Sequence, residues 1–463
     1  MTKDLLSLSI RQIGARLSVG QISARALTEA YLARIDTYGG LLNCYITLNV
    51  DSALAQADEA DKRAVRRSAL DGIAVAIKDN IDVAGLDTSN GFGPRSGITA
   101  DKDAGVVRNL REAGAVILGK MNMDEAALGA TTDNSHYGRT KNPWHKGLTP
   151  GGSSGGAAAA VAARLCTAAI GTDTLGSIRI PAAYCGVSGF KPTYDLVSTL
   201  GVKPLYQPLD HVGPLCRSVD DLAMLMDVIT RKDSGDLEPA AITDASAAWQ
   251  IKEPDMSAVK VGIFDAFADV DADVWHTYAL AVRNLRFSGV GINKLEPSEF
   301  DLAATRFSGF YLLKECLSER LENDLADFPD VYSARLCNFL KRRPMDVDKL
   351  NKAGALIQKT RNFINKVFDQ VDVIVLPTTP QTAFPFASKA PVNQADFTAL
   401  ANIAGCPSLT IPYGLSKSGL PVGVQIMGPP HEDQKVLSIG MAMESTAKFI
   451  FPQLPETRFD SSV

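Results

Sequence analysis

A chain of 463 residues with 46% hydrophobic and 21% charged side chains can bury a large core and has the make-up of an ordinary globular protein, which excludes a disordered or fibrous chain. Its 47 basic and 52 acidic residues are interspersed and leave a net charge of -5, so the basic stripe expected of a nucleic-acid-binding surface is missing. Seven cysteines, widely scattered and without a Cys-x-x-Cys pair, read as reduced, mostly buried thiols of a cytoplasmic protein.

Asp4 and Arg11 stand where a secretion signal would need an unbroken apolar stretch. From Leu5 to about Ser68 apolar residues recur at helical spacing, with Ser23 as N-cap of a helix through Ile35, so residues 1–68 form a helical lead-in. From about Asp71 the texture changes to short apolar runs ended by turns, "GIAVAIKDN", "AGAVILGKMN" and "CTAAIGTDT", later "VKVGIFDA" and "VDVIVLPTTP". Helical segments such as "DAGVVRNLREAG" alternate with them, the pattern of an α/β sheet covered on both faces. "GAAAAVAARLCTAAIG", Gly156 to Gly171, is too short to span a bilayer and carries Arg164, so it reads as a buried helix leading into a strand. Between about 232 and 369 a charged, mainly helical insert returns to a strand at Val371 to Leu376. No repeat or low-complexity linker divides the chain, which points to a single domain over 1–463.

Leu148 to Val161, "LTPGGSSGGAAAAV", holds two serines between pairs of glycines, a backbone bare enough to be a linker, a phosphate cradle or the seat of a catalytic serine. Three familiar patterns fall short. "GAVILGKM" ends a would-be phosphate loop with Met121, where Ser or Thr must ligate Mg²⁺, and its middle is a strand. "SGFK" spaces Ser188 and Lys191 as penicillin-binding enzymes do, but Pro192 follows at once. Gly151 to Gly155 fits a nucleophile elbow, yet no strand leads into it and the downstream histidines, His211, His276 and His431, have no catalytic setting.

A hydrolase without histidine can use lysine as its base if burial holds the amine neutral. Lys78 ends the apolar strand "GIAVAIK" at a turn, although a strand-end lysine reaching solvent is the plainer reading of that stretch alone. "GTDTLGSIRIPAAYCGVSGFKPT" then presents a strand end, a polar loop and Ser177; the backbone amides of Thr174, Leu175, Gly176 and Ser177 could turn inward as an oxyanion hole. Asp173 and Arg179 flank the loop as a clamp or as an ordinary surface ion pair.

These segments, with "DGIAVAIKDNIDVAGL", "GAVILGKMNMDEAALG", "NPWHKGLTPGGSSGGAAAAVAA", "LDHVGPLCRSVDDLA", "FTALANIAGCPSLTIPYG" and "GLPVGVQIMGPP", resemble the amidase signature family over about half the chain. The resemblance implies a large mixed, twisted sheet enclosed by helices and a Ser-cisSer-Lys triad: Lys78 as base, Ser153 as the bridging serine in a cis peptide and Ser177 as nucleophile, with Ser154 the weaker candidate for the bridge. It implies hydrolysis of a small-molecule amide through an acyl-enzyme, without a metal or organic cofactor, nucleic acid or membrane, and with a homodimer as a candidate assembly. The alternatives are the A subunit of a glutamine-dependent tRNA amidotransferase and a non-catalytic binding protein on the same fold. The segment "FPFASKAPVNQAD" does not look like that amidotransferase component's. Leu175 stands where the family commonly has Gly, Asp195-Leu196 where Gly-Arg is frequent, and Pro208 where a serine is usual. A leucine beside Ser177 either narrows the acyl pocket or packs beneath the loop.

Overall fold

A computed structural model describes residues 5–95, 97–231, 249, 251–265, 267, 269–295, 301–341, 346–447 and 449. The strands, in chain order, are β1 (Tyr45–Leu48), β2 (Ala74–Lys78), β3 (Val116–Met121), β4 (Asp133–Asn134), β5 (Gly138–Arg139), β6 (Ala168–Asp173), β7 (Ser188–Lys191), β8 (His211–Cys216), β9 (Lys260–Ile263), β10 (Gly291–Lys294), β11 (Val373–Pro377), β12 (Ser408–Leu415) and β13 (Pro421–Met427). Eleven of them make one sheet in the order β1-β3-β2-β6-β8-β7-β12-β13-β11-β9-β10, while β4 and β5 pair separately. Pairing is mixed: β2 runs parallel to β3 and β6, β6 antiparallel to β8, and β9 parallel to β10 and β11.

The apolar runs form the middle of this sheet because only strands covered on both faces can bury every side chain. All residues of β2, β3, β6 and β8 are buried. The helix Gly155–Ala162 is buried along its whole length, as "GAAAAV" suggests, and the chain re-enters the sheet at β6. Gly156 shows why side chains are absent there: a Cβ would lie 2.3 Å from the Asn122 carbonyl oxygen. In the lead-in, the helix Ala24–Leu42 begins at Ser23, whose hydroxyl accepts from the Ala26 amide at 3.0 Å.

The range 232–369 is not wholly a helical insert. Residues 232–248 lie outside the described residues, and β9 and β10 extend the main sheet beside β11. The helical part begins at Leu302–Arg320 and runs through Glu322–Asp327 and Ala334–Leu340 to Val347–Phe368. Its apolar face makes a second core with the loop after β6, in which Leu175, Leu209, Leu313, Leu317, Leu336 and Ile403 pack together. Among the described residues no helix is long and apolar enough to cross a membrane, and the seven cysteines are free, five of them buried.

Candidate active site

Parallel strands that end side by side deliver their last residues to one edge of a sheet, the usual place for a ligand in an α/β fold. β2 and β6 do this: Ile77 pairs with Ile170, so Lys78 and the segment Thr172-Asp173 emerge together. Lys78 Nζ lies 2.7 Å from Ser153 Oγ, 2.8 Å from Thr172 Oγ1 and 3.4 Å from the Thr172 carbonyl oxygen. Burial pulls its amine down to about 7, against the upward pull of Asp124, Asp173 and Asp210. A neutral amine so placed has a lone pair for the Ser153 proton and N–H groups for Thr172.

Ser153 follows a cis peptide bond from Gly152 and is fully buried, as is Ser154. A Cβ on Gly152 would stand 2.0 Å from Asp124 Oδ2, so the bare backbone lets that carboxylate close on the loop. Asp124 accepts from the Thr131 and Thr132 amides at 3.1 and 2.9 Å, and its own amide donates to the Ser153 carbonyl oxygen at 3.3 Å. The Ser154 hydroxyl donates to the Thr172 carbonyl oxygen at 3.2 Å and its amide to the Ser177 carbonyl oxygen at 3.1 Å, so it braces the two loops against each other. Ser177 is 9% exposed, whereas Lys78 and Ser153 are wholly covered.

The loop after β6 is organised by a buried charge. Asp173 Oδ2 accepts from Arg179 Nε at 3.0 Å and Oδ1 from the second guanidinium nitrogen at 2.9 Å, with both side chains fully covered. This is the clamp and not a surface pair. Arg179 also donates to Asn402 and Gln425, both at 2.6 Å, and the Asn402 amide returns to Asp173 at 2.9 Å. Although burial alone would raise it, Arg179 and these donors hold the Asp173 carboxyl well below the usual carboxylate range. The four loop amides do not turn inward together: Gly176 donates to Asp173 Oδ1 at 2.7 Å, because that carboxylate lies inside the turn. Thr174, Leu175 and Ser177 have no amide acceptor among the described residues. Leu175 avoids positive φ, its carbonyl oxygen accepts from Thr398 Oγ1 at 2.7 Å, and its side chain packs toward Gly309 of the helical cover.

A cavity of about 190 Å³ opens beside Asp124, lined by Leu128, Gly129 and Asp133 from the core and by Phe310, Arg335 and Phe339 from the helical cover. Arg335 is exposed and makes no ion pair with a described residue; burial raises the Asp124 carboxyl, and the Thr132 and Thr131 amides and the charge of Arg335 only oppose that rise. A wider cavity of about 390 Å³ lies between the loop at 88–100, Lys203 and Arg320.

The other motifs resolve into structure. Lys120 is buried in β3 and paired with Asp79 at 3.3 Å. Ser188 and Lys191 lie in β7 and bond elsewhere, to Glu444 and to the Pro192 carbonyl oxygen. His211 is buried with Nδ1 2.7 Å from the Leu209 carbonyl oxygen, while His276 and His431 are exposed. Among the described residues no group of His, Cys, Asp or Glu is placed to hold a metal ion.

The family profile described as Amidase matches residues 26–437. The chain belongs to the amidase family. It is 35% identical to the A subunit of the glutamyl-tRNA(Gln) amidotransferase from Desulforapulum autotrophicum, over 98% of this chain and 99% of that one. A solved structure described as part of a vestigial protein complex that reveals the origins of an s-triazine catabolic enzyme is similar at 30% identity and TM-score 0.85, over 95% of this chain and 98% of the other. The A subunit of the glutamyl-tRNA(Gln) amidotransferase from Thermotoga maritima is similar at 30% identity and TM-score 0.77, over 98% and 97%. The chain is thus a hydrolase of amide C–N bonds on a mixed sheet flanked by helices. Asp124, Thr172, Thr398 and Asn402 are the site residues that sequence reasoning missed, although each lies inside a segment quoted for the resemblance.

Proposed function

We propose that Ser177 attacks the amide carbonyl while Ser153 passes its proton to Lys78, with the amides of Thr174, Leu175 and Ser177 available to the oxyanion. The proton returns through Ser153 to the leaving nitrogen, which departs as ammonia from a primary amide. Water then cleaves the acyl-enzyme and restores Ser177. The observation that carries this reading is the covered Lys78–Ser153 pair at 2.7 Å, beside a serine that reaches solvent.

The physiological role favoured here is that of the A component of an amidotransferase, which releases ammonia from glutamine for a partner, in place of a free-standing small-molecule amidase. The near-full-length similarity to such components supports it. So does Arg335, a cation without an ion pair among the described residues, on the cavity beside Asp124, which suits an amide that also carries a carboxylate. Partner subunits rather than a homodimer follow from this role, in the cytoplasm. A stand-alone catabolic amidase is the second reading, favoured by the higher TM-score to the s-triazine-related structure, 0.85 against 0.77. Ammonia release from glutamine and from neutral aliphatic amides, by the purified chain alone and with the other components of a tRNA amidotransferase, separates them. Glutamine turnover that rises with the partners supports the first; turnover of neutral amides alone, unaltered by partners, supports the second.

A further inference from the structure

One short segment touches both halves of the site. Asp124 is bonded to the Ser153 loop, and the next residue, Glu125, lines the same cavity, lies 3.5 Å from His136 Nε2 and reaches on into the helical cover. Its carboxylate accepts from the Ser333 amide at 2.8 Å and from the Ser333 hydroxyl in a second, short bond, and it is only 10% exposed. Ser333 is in turn the N-cap of Ala334–Leu340, where its oxygen accepts from the Leu336 amide at 3.1 Å. Arg335 lies two residues beyond Ser333, on the cavity beside Asp124. Other ties between cover and core flank Ser333: before it the Gly93 amide on the Val331 carbonyl oxygen at 2.8 Å, Phe92 edge-on to Tyr332 at 4.8 Å, and Arg95 on Asp324 at 3.0 Å; after it the apolar packing of Leu336 and, further on, Arg361 Nε on the Ile403 carbonyl oxygen at 3.0 Å.

We infer that Glu125 is a positioning residue that fastens the cover at Ser333 and thereby sets the Arg335 guanidinium over the cavity. A carboxylate with two donors from one residue fixes both the distance and the orientation of that residue, and such charge-assisted bonds exceed neutral ones. The inference rests on reading Arg335 as the receptor for a substrate carboxylate.

The test compares glutamine with a neutral aliphatic amide of similar length. Glu125→Ala should raise the KM for glutamine about tenfold, the scale of a lost hydrogen bond to a charged group, and leave kcat and the neutral amide's KM within about twofold. Glu125→Gln can keep a bond to both Ser333 groups and should stay near wild type. Glu125→Ala/Arg335→Ala should be no worse than Arg335→Ala. Equal losses on both amides, or additive losses in the double variant, overturn the inference. Arg335→Ala alone checks the reading beneath it: an unaltered glutamine KM removes the carboxylate receptor, and the fastening is then judged by hydrogen exchange. Faster exchange across 331–340 in Glu125→Ala, with 155–185 unchanged, sustains the fastening, and unchanged exchange overturns it.

Discussion

A lysine accepts a proton only while neutral, and the sheet keeps Lys78 so by burying it away from direct contact with a carboxylate. Its nearest partners are the hydroxyls of Ser153 and Thr172. If the proposed triad is right, Ser177→Ala loses turnover altogether, Lys78→Ala comes close, and Ser153→Ala loses about 10² to 10⁴ in kcat/KM, the range of general-base catalysis. Ser154→Ala should be milder, about tenfold, because its hydroxyl bonds the Thr172 backbone and not the amine. A greater loss in Ser154→Ala than in Ser153→Ala would move the bridge by one residue. The pH profile follows from the direction of the Lys78 shift. Below about 7 the amine is protonated and cannot act as base, so kcat/KM should climb about tenfold per pH unit and level off above 7. A profile that is flat from pH 5.5 to 8 would remove Lys78 from the proton path.

The loop and the helix above it are fitted to each other at Leu175. A Cβ on Gly309, in Leu302–Arg320, would lie 3.1 Å from Leu175 Cδ2, so the leucine occupies space that the helix has vacated. Leu175→Gly should therefore cost about 2 to 4 kcal/mol as an unfilled cavity and lower kcat/KM evenly across acyl groups of increasing size. A selective gain for the larger ones would show that Leu175 walls the acyl pocket. The sequence already exposes the elements here: the glycine-serine runs, the apolar strands and the lysine at a strand end are local features, and each appears where its pattern places it. Asp195 illustrates a pattern explained only by the fold. It adopts φ 63, a left-handed turn that Asp tolerates and Gly prefers, hence the family's common glycine there. What local pattern cannot convey is which polar groups become buried partners. Asp124 and Asn402 look like surface residues until distant segments close over them, and Asp173 with Arg179 reads equally well as a surface pair. The side-chain direction of Leu175 likewise depends on Leu302–Arg320, more than a hundred residues away.

Over the whole molecule, burying lysines ties stability to pH. Lys191 is fully covered, with Nζ donating to the Pro192 carbonyl oxygen at 2.7 Å, and burial, with Arg179 nearby, pulls it down to about 7. An unfolded lysine titrates near 10.4, so between about pH 7 and 10 the unfolded chain holds a proton that the folded chain lacks, and stability from this residue rises with pH. Keeping Lys191 neutral costs about 4 kcal/mol at pH 7 and about 1 at pH 10. Lys191→Met removes that cost but leaves the Pro192 carbonyl without its donor, worth about 1 to 3 kcal/mol at any pH. The variant should therefore melt above wild type at pH 7 and lose the advantage, or reverse it, by pH 10. A Tm difference that does not change with pH would mean that Lys191 keeps its proton in the fold. The same variant assigns the acid limb of catalysis, because Lys78 and Lys191 are both drawn to about 7. With Lys78 as base, Lys191→Met should retain the rise in kcat/KM through pH 7 while its stability profile flattens. Loss of that rise would transfer the catalytic titration to Lys191, through its neighbour Arg179 and the clamp on the Ser177 loop.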